Sequence, residues 1–355
     1  MKHENKKGLI ETLSVQTATY KTKNMELFIY EQLKSIEGCE TYEDNGNIYI
    51  TRGEAKTYPC IVAHTDTVHD IYKNFNIFEL QGKLISIDGS NMNRVGIGGD
   101  DKVGVFIALE VLRKVDVCKV AFFRDEEVGC VGSREADMSF FDDTEFVLQC
   151  DRQKRSDFVT NIFATKLCSD DFSEAIKPVL EKYKRKETDG GLTDVYQLVE
   201  NGLGVSCANM SCGYYDPHSN NEYVIINHVF STLSFVLKLF GTLSGKVWEV
   251  DSADRDDYGN NHYYGYGNSR YGSWGSKKWG SDDYYDEFDE WNRSFGIEPE
   301  DKDDDYCCPN CNGTEILEDD FDERLWCCSC GEFTDVLQKL IDDMAIEPGD
   351  DELPF

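Results

Sequence analysis

The sequence predicts an α/β domain over residues 1–245, built on a central mixed, mostly parallel sheet flanked by helices. Three observations predict it. Short apolar runs of strand length recur at 60–64, 118–123 and 145–150. Longer segments with helical spacing alternate with them. The chain has 355 residues, 40% of them hydrophobic, enough for a sizeable core. Strands alternating with helices form a sheet packed against those helices. Strands buried on both faces read as unbroken apolar runs.

Taken in order, NMELFIYEQLKSI (24–36) places Leu27, Tyr30 and Leu33 on one side of a helix. NIYITR (47–52) alternates like a half-buried strand, and CIVAH (60–64) is a central strand. KVGVFIALEVLRKV (102–115) follows a Gly-rich turn and reads as a helix packed on the sheet. CKVAFF (118–123) and EFVLQC (145–150) are two further central strands. Helices are expected at 170–184, where Pro178 introduces a kink, and at 227–240.

The net charge of −32 is unevenly spread. From residue 246 onward there are 31 acidic and 9 basic side chains. Such an acidic chain repels nucleic acid and anionic membrane. No run of 18 uninterrupted apolar residues is present, so no membrane span is expected. MKHENKKGLIETL lacks the apolar core of a secretory signal. Fourteen cysteines without such a signal point to reduced thiols or metal ligands, and to a cytoplasmic location.

Residues 246–304 are rich in Gly, Tyr, Trp, Ser and Asp, without a period and with few aliphatic residues. They read as a flexible low-complexity linker. Residues 305–335 carry Cys308 and Cys311, then Cys327 and Cys330, with fifteen residues between the pairs. That spacing suits a short hairpin holding four thiolates around one structural zinc, a zinc ribbon. Acidic residues crowd both sides of it, so a protein partner or a purely structural role fits better than nucleic acid. Residues 336–355 read as a short helix and an acidic tail.

Five places in the first domain carry chemistry. The apolar strand in IVAHTDTVHD (61–70) stops at His64, with Asp66 two positions on. GIGGDDKVG (96–104) puts Asp100 and Asp101 in a Gly-rich turn before a helix. FFRDEEVGCVGS (122–133) ends a strand in Asp125, Glu126 and Glu127, and VLQCD (147–151) ends another in Asp151. CGYYDPHSNNEYV (212–224) holds His218 after a proline. Each alone has an ordinary reading as a solvated turn, a helix cap or a surface acid. Together, three apolar strands end in metal-ligand residue types. In an open α/β sheet, sites form beyond the carboxyl ends of the strands. Carboxylates gathered there repel one another unless cations neutralise them. Two histidines with several carboxylates suit a pair of zinc ions, with manganese or cobalt as substitutes.

AHTDTV, GGDDKVG, RDEEVGCVGS, QCD and PHSNNEYV resemble, in order, the five motifs of the co-catalytic zinc exopeptidases. That group includes bacterial leucyl aminopeptidases, peptidase T, and related carboxypeptidases and deacylases. The resemblance covers roughly residues 20–243. It implies that His64 and Asp151 hold one zinc, Glu127 and His218 the other, and Asp100 bridges them. Asp66 orients the His64 imidazole, and Asp101 follows Asp100 across a cis peptide. Glu126 is the general base acting on a metal-bridging hydroxide. GGLTDV (190–195) also resembles a family segment. Asp194 there either lies beside the ligands or substrate or caps the helix that starts at it.

Only 66 residues separate Asp151 from His218. Several branches of the family insert a lid domain at this point, so the chain resembles the compact branch without one. The implied activity is hydrolysis of an amide bond, with an aminopeptidase on short peptides as the first reading. An N-acyl amino acid deacylase or carboxypeptidase shares the metal centre. Either would need an arginine for the substrate carboxylate, and Arg94, Arg124 and Arg152 lie near the motifs. A reading of another class is a non-catalytic scaffold that recruits a partner through the ribbon or the linker.

Overall fold

The computed structural model describes residues 2–163 and 165–250, together with 316–319 and 324–327. The chain divides into two units, residues 1–273 and 274–355. The first unit opens with helices α1 (Lys2–Ser14) and α2 (Lys23–Leu33) and strands β1 (Cys39–Asp44), β2 (Asn47–Arg52) and β3 (Tyr58–His64). Strands β4 (Phe75–Leu80), β5 (Lys83–Asp88) and β6 (Asn93–Val95) lead to α3 (Gly99–Lys114) and β7 (Cys118–Phe123). A one-turn helix at Glu126–Val128 and α4 (Val131–Arg134) precede β8 (Thr144–Arg152), β9 (Asp157–Ile162) and β10 (Thr165–Lys166). There follow α5 (Asp170–Lys182), β11 (Lys186–Gly190) and α6 (Asp194–Glu200). Strands β12 (Cys207–Ser211), β13 (Tyr214–Tyr215) and β14 (Tyr223–Ile225) lead to the long helix α7 (Ile226–Leu243).

Nine strands form the main sheet in the order β1-β2-β7-β3-β8-β12-β9-β10, with β11 also on β9. Its centre, β7-β3-β8-β12, is parallel. Antiparallel pairs extend it through β2 and β1 on one side and through β9 on the other. All seven residues of β3 and all six of β7 are buried, so both faces of the sheet are covered there. Ile61, Val62, Val120 and Phe122 are 0% exposed. Each fully buried side chain of this size contributes about 1.5–3 kcal/mol relative to exposure. Helices α3 and α6 pack on β3 and β8, and α1 and α7 pack on α3. Lys102 of α3 ties the end of α1 down by donating to the carbonyls of Leu13 (2.6 Å) and Val15 (3.3 Å).

A second sheet, β13-β14-β5-β4 with β6 on β5, was not visible in the sequence. It positions two parts of the site. Strand β6 runs into the Gly-rich turn before α3, and the β13–β14 connection carries His218. The segment between Asp151 and His218 forms β9 to β13, α5 and α6, and its strands from β9 to β12 join the main sheet. Helix α5 continues through Pro178 from Asp170 to Lys182.

Helix α7 has a mean hydropathy of 1.2 over 18 residues, long and apolar enough to cross a bilayer by length and composition. More than half of the helix is buried inside the domain, Phe235, Val236 and Leu239 completely.

The first domain also extends beyond the boundary expected at 245. Ser206 N–H donates to the Trp248 carbonyl, Trp248 N–H to the Glu145 carbonyl, and Val250 N–H to the Gly204 carbonyl. Trp248 packs against Phe172 with ring centroids 5.7 Å apart. An aromatic followed by an aliphatic residue finds a partner on the core, whatever the composition of the segment that follows.

In the second unit, β15 (Ile316–Asp319) and β16 (Arg324–Cys327) form an antiparallel hairpin with Ile316 opposite Cys327. Its last residue, Cys327, is the first cysteine of the second pair. Cys308, Cys311 and Cys330, the rest of the expected linker and the C-terminal tail lie outside the described residues.

Candidate active site

Strands β7, β3 and β8 are neighbours and parallel, so their carboxyl ends open on one edge of the sheet. His64 is the last residue of β3 and sits opposite Phe123, the last of β7. Glu126 and Glu127 follow three and four positions after β7, and Asp151 stands at the end of β8. Asp100 and His218 arrive from the second sheet. The Gly-rich turn delivers Asp100 through Gly98, whose φ of +67° is a left-handed conformation that favours glycine. The Asp100–Asp101 peptide is cis.

Asp100 lies between the two histidines. His64 Nε2 is 3.2 Å from Asp100 Oδ1, and His218 Nε2 is 3.3 Å from Asp100 Oδ2. His64 Nε2 is also 3.7 Å from Asp151 Oδ1, and His218 Nε2 is 3.1 Å from Glu127 Oε2. Each imidazole thus shares Asp100 and faces one further carboxylate of its own. His64, Asp100 and Glu127 offer ligand atoms within 4.8 Å of one another, as do His64, Asp101 and Asp151. Asp101 is nonetheless engaged elsewhere. Its Oδ2 accepts the His64 backbone N–H at 3.1 Å and its Oδ1 that of Gly104 at 3.0 Å.

Asp66, 0% exposed, faces the other nitrogen of His64, with Oδ1 3.3 Å from Nδ1. It also accepts the backbone N–H groups of Glu126 (2.9 Å) and Glu127 (3.4 Å) and the hydroxyl of Thr19 (3.0 Å). One carboxylate therefore fixes both an imidazole and the turn carrying the two glutamates. Asp194 opens α6, yet its side chain does not cap the helix. It accepts from Ser133 Oγ at 2.6 Å and from Gln149 Nε2 at 3.1 Å. Gln149 in turn donates to Asp151 Oδ2 at 3.2 Å, and Thr193 donates to the same oxygen at 3.1 Å. Glu126 Oε1 accepts from the buried Cys130 thiol at 3.3 Å.

The charge balance is strongly perturbed. Burial, together with the charges of Asp151, Asp194 and Glu127, pushes Glu126 well above the usual carboxylate range against the pull of His64. Burial and Asp100 raise Glu127 to about 7 and Asp151 to about 6. Burial likewise holds Asp194 at about 7. Burial would also raise Asp100, but the two imidazoles win and hold it low. His218 is raised to about 11 by its bonds to Asp100 and Glu127. Burial pushes His64 down, and Asp100, Asp151 and Asp66 together more than reverse that. The cluster therefore tends to hold protons on several of its acids, which neutralises them, and on its histidines. Glu127 Oε1 is buried without a hydrogen-bond partner. An acid-rich pocket with imidazole nitrogens and an orphaned carboxylate oxygen fits divalent cations of the zinc or manganese type.

Several contributors escaped the sequence reading. Gln149, Thr193 and Ser133 form the network around Asp151 and Asp194. Tyr214 places its hydroxyl 3.4 Å from Asp151 Oδ1. His69 and Glu222 meet at 2.5 Å, although 153 positions separate them. Glu222 lies four positions after His218 inside a quoted motif. Its position as a lone acid before the buried Tyr223 is the one signal that pointed to it.

No protein-family model matches the chain, and no curated protein matches it. Solved structures do. An aminopeptidase, PepT, from Bacillus cereus superposes with a TM-score of 0.58 at 13% identity, over 68% of this chain and 99% of that one. A tripeptidase from Staphylococcus aureus gives 0.54 at 14% identity, over 68% and 98%. A TET aminopeptidase from a marine-sediment Thaumarchaeota archaeon gives 0.50 at 12%, over 71% and 98%. The chain therefore shares the fold of these peptidase structures.

Proposed function

We propose that this chain is a metallo-exopeptidase, an aminopeptidase acting on short peptides. The observation that carries the reading is Asp100, whose two oxygens face two different imidazoles at 3.2 and 3.3 Å. In this reading His64 and Asp151 hold one divalent cation, Glu127 and His218 hold a second, and Asp100 serves both. Such a pair supplies an activated water and polarises the scissile carbonyl.

The chain's own groups do the rest. Asp66 keeps the His64 ring turned with Nε2 toward Asp100. Among the described residues the Glu126 carboxylate accepts only the Cys130 thiol and bonds neither imidazole, so it is placed to take a proton from water and return it to the leaving amine. The buried Asp194–Gln149–Asp151 chain holds Asp151 in place and keeps bulk water from its inner side.

Two of the three arginines weighed for a carboxylate-binding alternative are engaged. Arg124 is paired with Asp125 and Glu135, and Arg152 with Asp157. This, with the excess of acids, favours a substrate bearing a free amine. Buried cysteines in thiol form, Cys60, Cys118 and Cys150 among them, are consistent with a reducing compartment such as the cytoplasm. We also read Cys308, Cys311, Cys327 and Cys330 as the ligands of one structural zinc.

The test is hydrolysis of aminoacyl anilides and of di- and tripeptides by full-length protein loaded with zinc, manganese or cobalt. Cleavage of free peptides, but not of their N-acetylated forms, is expected. Selective cleavage of the blocked forms would instead support the deacylase reading, and inactivity toward both the scaffold.

A further inference from the structure

We propose that Glu222 is the positioning residue that sets the spacing between Asp100 and His218, with His69 holding Glu222 in place. The inference rests on reading those two residues as ligands of a shared metal pair.

Glu222 is 0% exposed. A buried carboxylate is costly unless donors meet it, and three donors do. Its Oε2 accepts the backbone N–H of Gly98 at 2.7 Å and lies 2.5 Å from His69 Nε2. Its Oε1 accepts the backbone N–H of Asp100 at 3.1 Å. Both main-chain donors belong to the turn that carries the shared carboxylate. Glu222 itself rides on the loop that carries His218, four positions away.

The two segments therefore make polar contact twice, once through His218 Nε2 and Asp100 Oδ2 and once through Glu222. Only the second meeting is buried, since the His218 side chain is 53% exposed. Arg94 also secures this loop, by donating to the Asn221 carbonyl. That bond leads to strand β6 rather than to the Asp100 turn itself. The turn is also closely packed there: a Cβ on Gly96 would stand 2.0 Å from the His69 ring, while one on Gly99 would meet Tyr214 at 2.6 Å and Val224 at 3.0 Å before Glu222 Oε1 at 3.3 Å. Glu222 thus ties the ligands of the second cation together before that cation binds.

A purely structural ion pair would lower stability without selecting between cations, so the test reads metal binding. Mn2+ is titrated into metal-free full-length protein, by calorimetry and by the electron-spin resonance of free Mn2+. This hard ion favours the carboxylate site over the cysteine cluster. Wild type is expected to take up two ions. Glu222→Gln and Glu222→Ala should weaken one of the two by about 10–100-fold, the usual effect of losing a group that orients a ligand, and the other, which shares Asp100, by less. His69→Asn should shift the same ion in the same direction by less. Folded Glu222 variants that bind both ions as wild type does would overturn the proposal. If the Glu222 variants do not fold, unchanged binding of both ions by His69→Asn overturns it. Wild type that binds no Mn2+ pair overturns the metal-site reading itself, a different failure.

Discussion

Asp66 accepts the backbone N–H of Glu126 at 2.9 Å with the same oxygen that lies 3.3 Å from His64 Nδ1. The acid two positions after a histidine thus holds the proposed ligand of one strand and the main chain of the proposed base on the next. Asp66→Asn should disturb both. Metal affinity is expected to fall about 10–100-fold. Excess metal should restore occupancy without restoring kcat, because the Glu126 turn stays displaced. Rates measured across a metal titration check this; full recovery of kcat at saturation would mean that Asp66 serves His64 alone.

Glu126→Gln keeps the shape of the side chain and removes its proton exchange. The expected loss in kcat is about 10²–10⁴-fold, the usual scale of general acid–base catalysis. Bound metal and the thermal midpoint should change little, since no imidazole contact involves Glu126. An active Glu126→Gln enzyme would remove the residue from the mechanism.

Metal-free protein should lose stability as pH rises from 5 to 8. Folded Glu127 and Asp194 titrate at about 7 and Asp151 at about 6, against roughly 4 in an unfolded chain. Between those values the folded state binds protons that the unfolded chain has released. This contribution is full below the unfolded values and is lost as pH rises through the folded ones. His218, raised to about 11, acts in the same direction above roughly 6.5. Divalent cations replace these protons, so the gap between metal-loaded and metal-free midpoints should widen over the same range. Thermal scans with and without chelator measure both trends.

Gly104→Ala should destabilise the site from beneath. A Cβ there would stand 2.2 Å from Asp101 Oδ1, which already accepts the Gly104 N–H. Asp101 must then shift, and with it the His64 main chain that its other oxygen holds. A loss of about 1–3 kcal/mol, the scale of overpacking in a filled core, is expected in denaturant unfolding, with weakened metal binding alongside. Unchanged stability would show that the Asp101 contact is loose.

Metal analysis of the full chain should return close to three divalent ions, two removed by mild chelation and one retained. The retained ion should depend on Cys308, Cys311, Cys327 and Cys330 and should leave peptidase activity unaffected when lost. A total of two ions, both needed for activity, would argue against the cysteine site.

What could be read from the sequence was whatever the chain writes locally. The central strands stood out because burial on both faces demands unbroken apolar runs, and β3 and β7 are buried along their whole length. Their polar ends stood out for the same reason, since His64 and Asp151 interrupt those runs. Strands β1 and β4 left no such trace, because most of their residues are exposed. The end of the first domain was read too early because Trp248 and Val250 belong to the core by packing, while their neighbours carry the composition of a linker.

The sequence alone determined which residue types could bind cations and that parallel strands would bring several of them to one edge. Only the tertiary structure decided how they divide. Asp100 lies between two imidazoles, Asp101 turns away to the main chain, and Asp194 joins Ser133 and Gln149 instead of capping its helix. Glu222 and His69 meet across 153 positions. Such choices depend on directions and distances between segments far apart in the chain. No periodicity or spacing encodes them, because a buried carboxylate is fixed by whichever donors the fold brings within hydrogen-bonding reach.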